Sequence, residues 1–309
     1  MKEGKARVSF LKALMVQACL ASLSVEVFSS IRALDFTRIA LFWTLISAIN
    51  CFVLWSRYRS LIKLNLLTQR LKQFQKLDLF TKLCISAVIT IAFISLVTCL
   101  ISPPTNYDSL TYHLTRVVRW IQNRSLEYTP THNLRQIFFA PGASYLVTHL
   151  QLLARGDYFA NCVQWVAYVG CIVGVSLITK QVAGDRSQSV SALICATIPM
   201  AIMQSTTTQN DLVTSLWLVC LAYFVFQAQL NDRLSLFWVA IALGLAIVTK
   251  PTGIIFGIPL FILFAVLIVR QRLRQQQAFS TALLTSFKYC SIVGLGSLLF
   301  VLPSWTRNL

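Results

Sequence analysis

Apolar runs long enough to cross a bilayer recur along the whole of this chain, and no other feature narrows its folds so far. A crossing helix needs about 20 predominantly apolar residues. Hydropathy places about nine such runs, near 10–30, 37–55, 82–102, 158–179, 187–204, 211–229, 234–249, 252–269 and 284–302. A bilayer core offers no water to unpaired backbone groups, so only helices and closed barrels span it. Runs of this length read as helices. The expected fold is an all-α polytopic membrane protein, a transmembrane helix bundle with little mass outside the lipid. Composition agrees: 56% of the 309 residues are hydrophobic and only 12% charged, against about 25% charged in soluble domains. Soluble α/β folds are excluded.

The formal charge of +17 raises nucleic acid as a partner, and its distribution removes it. Lys and Arg gather between spans: Arg57, Arg59, Lys63, Arg70, Lys72, Lys76 and Lys82 in one segment, Arg270, Arg272 and Arg274 in another. Cytoplasmic loops have this pattern, and it also suits anionic headgroups of the surrounding membrane lipids. Placing those loops inside puts the N-terminus, 180–186 and 231–233 inside, and 103–157, 205–211 and 249–253 outside. Arg32, Arg38 and Arg307 then fall outside and fit least well. Within 56–82, Leu61, Leu64, Leu67, Leu71 and Phe74 recur at spacings of three and four, which predicts an amphipathic helix on the cytoplasmic face. The nine cysteines are scattered with no CxxC. They read as small core residues, with neither a metal cluster nor a disulfide framework.

The outer segment 103–157 holds all three histidines, His113, His132 and His149. Leu110, Leu114, Val117, Val118 and Ile121 share one helical face. After Pro141 and Gly142, so do Leu146, Leu150 and Leu153. Two short helices are expected on the outer membrane surface, apolar faces down. Asp108, with His113, Arg116 and Arg119 just beyond it, reads either as a helix N-cap or as a general base or metal ligand beside an anionic substrate. Asp211, at the end of "QSTTTQND", reads as a cap with Thr208 or Asn210 as rivals, or as a functional acid at the membrane edge. Lys250, in the turn "TKPTG", either snorkels to the interface or meets a phosphate.

Three stretches, "NYDSLTYHLTRVVRWIQN", "TTTQNDL" and "GLAIVTKPTG", in this order and on one membrane side, resemble motifs of GT-C membrane glycosyltransferases. The chain resembles most the bacterial family 39, which includes protein O-mannosyltransferases and aminoarabinose lipid A transferases. The resemblance covers about residues 80–309 and leaves 1–79 as an added helix pair with a basic cytoplasmic segment. It implies a GT-C-like bundle in the plasma (inner) membrane, transferring a sugar from a polyprenyl-phosphate donor to an acceptor at the outer face. On that resemblance Asp108, Asp211 and His113 are the candidate catalytic residues. Lys250, Arg116, Arg119, Tyr107, Tyr112, Gln209 and Asn210 are the candidate substrate contacts. Relatives pair two acids in the first loop. Here Ser109 follows Asp108, so no metal ligands are assigned, no cofactor is firmly implied, and a divalent cation stays open. Relatives also continue well past this length, so the chain is expected to be an N-terminal portion. A polytopic transporter or lipid flippase, using Pro199, Pro251 and Pro259 as helix breaks, and an inactive truncated transferase remain alternatives.

Overall fold

Every apolar run becomes helix, and no strand forms among the described residues. The computed structural model describes residues 3–58, 74–75, 77–228 and 233–307. The amphipathic helix expected over 56–82 falls mostly on 59–73 and 76, and the turn at 231–233 mostly on 231–232, outside the described residues. The long helices are α1 (Glu3–Ser30), α2 (Phe36–Tyr58) and α3 (Leu79–Ile101), followed by segment 103–157, named outer for the side the charge pattern predicts. That segment carries a π-helical turn (Ser109–His113), α4 (Leu114–Asn123), α5 (Arg135–Phe138) and α6 (Gly142–Ala154). Then come α7 (Cys162–Ala183), α8 (Gln188–Ala196), α9 (Pro199–Gln204), α10 (Asp211–Gln227), α11 (Arg233–Thr249), α12 (Thr252–Arg274) and α13 (Phe279–Arg307).

Six helices, α1, α2, α3, α7, α12 and α13, are long and apolar enough to cross a membrane, while α10 and α11 are shorter apolar helices. The run at 187–204 does not form one crossing. Ile198 is extended, and Pro199 opens a new helix after it. Proline disfavours the α conformation in the residue before it. Pro259 has no such effect, since α12 continues through it. Pro251 sits in the turn before that helix.

The main core gathers residues of α7, α10 and α11, with Leu11, Met15 and Ala18 of α1, Phe264 of α12 and Val293 of α13. In lipid, helices associate through packing rather than through escape from water, and small residues let backbones approach. Gly253 of α12 shows this: a Cβ there would lie 2.5 Å from the Ala246 carbonyl oxygen of α11. Large apolar side chains such as Leu45 and Phe52 on α2, or Phe93 and Ile94 on α3, stay exposed, as lipid-facing surfaces do.

A second cluster joins the outer segment to the bundle through Val25, Leu34, Ile39, Leu114, Val117, Trp120 and Tyr145. Here the structure departs from two surface helices with apolar faces down. Helix α6 is wedged among α1, α2, α4, α7 and α11 and buries Ser144, Thr148, His149 and Gln151. Its leucine face is the less buried one: Leu153 is exposed, and Leu146, Leu150 and Leu153 line an apolar cavity of about 350 Å³ with Trp43 and Trp217. His149 lines the same cavity, is buried, and is satisfied. His149 Nδ1 accepts from Trp43 Nε1 at 3.0 Å, so Nε2 carries the proton and donates to the Ala21 carbonyl at 3.0 Å.

The three arginines that fit the charge rule least each hold a carboxylate. Arg32 meets Glu127 at 2.8 Å, Arg38 pairs with Asp35, and Arg307 pairs with Glu26. Tyr145 joins the last pair, donating to Glu26 and accepting from Arg307 at 2.6 Å. This cluster ties α1, α6 and α13 together.

Candidate active site

Two acids could have been helix caps, and in both places an amide side chain takes that work. At the start of the π-helical turn the Asn106 Oδ1 accepts from the Ser109 amide at 3.0 Å, while Asp108 makes no side-chain cap bond. At the start of α10 the Val213 amide donates to Gln164 Oε1 of α7 at 3.0 Å. The first amides of a helix lack intrahelical partners, so Asn106 and Gln164 relieve Asp108 and Asp211 of capping. Asp211 instead accepts from Lys250 Nζ at 2.5 Å. The lysine at the membrane edge is therefore paired.

The π-helical turn closes when Leu114 donates to the Ser109 carbonyl. π turns often sit at functional sites. The Thr111 carbonyl accepts from Asn133 Nδ2 at 3.2 Å and Gln136 Nε2 at 2.8 Å. Asn133 Oδ1 also accepts from the Arg135 amide at 3.1 Å. These bonds fix α5 beside the turn and bring Arg135 Nη1 to 3.9 Å from Asp108 Oδ1, its guanidinium 5.9 Å from the centre of the Tyr112 ring. Arg135 escaped the sequence reading. The signal was Asn133 two residues earlier, the spacing of a side-chain turn over a backbone amide.

These groups share one end of the bundle. Gly142, opening α6, sits against Thr249 and Val248, where an added Cβ would lie 2.8 Å from Thr249 Oγ1. Asn210 Nδ2 donates to the Thr249 carbonyl at 3.2 Å. Burial and the charge of Asp108 push the Tyr112 phenol up to about 12, with Asp211 adding to the effect. Burial, then Arg116 and Lys250, push His113 down to about 3. Tyr112 thus feels both acids and His113 feels the lysine, so the first outer loop, the 205–211 turn and the 249–252 turn converge.

The remaining candidates divide. His113 is buried and its Nε2 has no partner; a pKa near 3 makes it a poor base at neutral pH. Arg116 is not available to a donor phosphate: it is buried, and it donates to the Phe139 carbonyl at 2.6 Å, the Ala140 carbonyl at 3.4 Å and Ser144 Oγ at 2.6 Å. It fastens the outer loop to α6. Arg119 donates to Thr129 Oγ1 and the Pro130 carbonyl and borders a cleft of about 1350 Å³ on the far face of α4. It stands apart from the cluster. Tyr107 is exposed, Gln209 half-buried, and Asn210 buried and committed to Thr249. No group of three or more His, Cys, Asp or Glu that could hold a metal gathers among the described residues.

The arrangement offers a half-exposed carboxylate, a cation beside it, and a second acid–cation pair at the same end of the bundle. That equipment suits proton removal from a hydroxyl next to a departing anion. No curated protein and no solved structure matches this chain. Residues 140–295 match the PMT_2 family, described as dolichyl-phosphate-mannose-protein mannosyltransferase. The match includes Asp211 and Lys250 and begins after Asp108. Families of this description carry out lipid-phosphate-sugar-dependent glycosyl transfer, and by a match over half its length this multi-pass membrane protein belongs to the PMT_2 family.

Proposed function

We propose that this protein transfers a sugar from a polyprenyl-phosphate donor to an acceptor hydroxyl at the outer face of the plasma (inner) membrane. The observation that carries the reading is the Asp108 carboxylate, freed from capping by Asn106 and held at the same end of the bundle as the Lys250–Asp211 pair. Asp108 takes the proton from the acceptor hydroxyl. The hydroxyl oxygen then bonds to the anomeric carbon as the bond from that carbon to the phosphate oxygen breaks. The bonding pair leaves with the polyprenyl phosphate. Lys250 has three N–H groups and gives one to Asp211, so the others serve the phosphate. Asp211 acts by aiming the ammonium. Arg135, half-exposed beside Asp108, is a second cation for the donor or for the charge that develops.

The site must sit at the lipid–water boundary because the donor's tail stays in the bilayer while its head reacts. Placement at the outer face follows from the basic loops 56–82 and 270–283 being cytoplasmic.

The test is Asp108→Asn in membrane vesicles supplied with a polyprenyl-phosphate sugar and extracted acceptors. Transfer should fall by about 10²- to 10⁴-fold, the usual weight of a general base. The thermal midpoint should stay unchanged, since the carboxylate makes no cap bond. Undiminished transfer by that variant would overturn the role of Asp108.

A further inference from the structure

We propose that Cys99 and Cys162 form a disulfide in the working protein and so staple the two roots of the outer segment that carries Asp108. The proposal rests on the outer-face reading above, because the cytoplasm keeps thiols reduced.

Their thiols already touch. Cys99 Sγ lies 3.6 Å from Cys162 Sγ. Cys99 lies in the last turn of α3, which ends at Ile101, and Cys162 is the first residue of α7. The segment that carries Asp108 begins just after one and ends just before the other. Neighbouring bonds hold the two helix ends together. Asn161 Nδ2 donates to the Ser102 carbonyl at 2.9 Å, and Trp165 Nε1 donates to the Ala92 carbonyl at 2.9 Å. A disulfide holds its sulfurs at about 2.04 Å, so the 3.6 Å between these thiols has to close by roughly 1.6 Å. The spacing of the two residues in sequence gave no sign of this, since they are 63 positions apart.

The chemistry is thiol–disulfide exchange. Cys99 is buried and Cys162 is half-buried on the wall of the apolar cavity, so Cys162 reacts first. Its thiolate attacks an oxidised thiol donor such as glutathione disulfide and releases one glutathione thiolate. Cys99, as thiolate, then attacks the Cys162 sulfur of the mixed disulfide and releases the second glutathione. Two protons and two electrons leave the cysteines, and the donor disulfide takes up both electrons.

The experiment uses the full chain. One sample is purified in detergent, treated with glutathione disulfide, alkylated and digested without reductant. A second is alkylated in intact cells before lysis. In parallel, an impermeant maleimide probes a cysteine placed at the exposed Glu127 to fix the side of the outer segment. The expected result is a Cys99–Cys162 peptide in both samples, absent in Cys162→Ser, with the Glu127 position labelled from outside. Fully alkylated Cys99 and Cys162 after glutathione disulfide would overturn the proposed geometry. A link in detergent but free thiols in cells, with position 127 outside, would overturn the resident disulfide while leaving the outer-face reading intact. The same thiols with position 127 inside would overturn the outer-face reading, and the disulfide with it.

Discussion

Lys250 and Asp211 show how little stability the pair proposed to hold the phosphate needs to supply. Both side chains are about a third exposed, and a pair so wetted contributes on the order of 1 kcal/mol or less. Lys250→Ala should therefore barely move the thermal midpoint. It should raise the KM for the lipid-phosphate donor at least about tenfold, the signature of lost phosphate binding, and a titration of initial rates against donor checks it. His113 sends the opposite signal. Burial pushes it down to about 3 and His149 down to about 4, so both are neutral when folded. The unfolded chain binds their protons below about pH 6.5, which means that stability held above that pH is lost as the pH falls toward 4. Thermal midpoints measured between pH 8 and 4 should decline on the acid side. His113→Gln should flatten part of that decline, while leaving neutral-pH transfer within a fewfold of the parent.

The elements explain which parts of this architecture were legible. Run length alone located the helices, because an apolar stretch of this size has few other fates in lipid. Facing was harder. The stripe Leu110, Leu114, Val117, Val118, Ile121 assumed one helical period, but the π-helical turn at Ser109–His113, bonded i→i+5, offsets Leu110 from the α4 face, and within α4 Val118 is exposed while Arg116 and Trp120 turn inward with Leu114 and Val117. In α6 the leucines do not lie on an outer surface but line a cavity inside the bundle together with His149, which Trp43 and the Ala21 carbonyl bind, while Ser144 meets Arg116 on another side. Asp108, Asp211 and Lys250 were visible as charges at span ends. That Asn106 and Gln164 would do the capping was not, since Gln164 comes from a different helix. The tight seat of Gly142 gives a test. In Gly142→Ala the new methyl meets Thr249 Oγ1 and the Val248 carbonyl at 2.8 and 2.9 Å, forcing α6 from α11. Overpacking of this kind costs about 1–3 kcal/mol. The thermal midpoint should fall, and transfer should fall with it because Lys250 follows Thr249 directly.

At the scale of the molecule, the arginines that fit the charge pattern least are bound into the fold, since Arg32, Arg38 and Arg307 are each paired with an acid. The pairs differ in weight: Glu127→Gln removes the partner of an exposed Arg32 and should change little, whereas Glu26→Gln strips the partner of Arg307 beside Tyr145 and should loosen α13. Limited proteolysis of the two variants in membranes compares them directly. The Glu26–Arg307 bond also has a temporal meaning. Its partners are 281 residues apart, and at about 5–20 residues per second the ribosome needs roughly 14 to 56 seconds to make the second after the first. During that interval Glu26 waits in the membrane without its arginine. Helix α1 thus gains its tie to α13 late in synthesis, long after Tyr145, which donates to the same carboxylate, has been made.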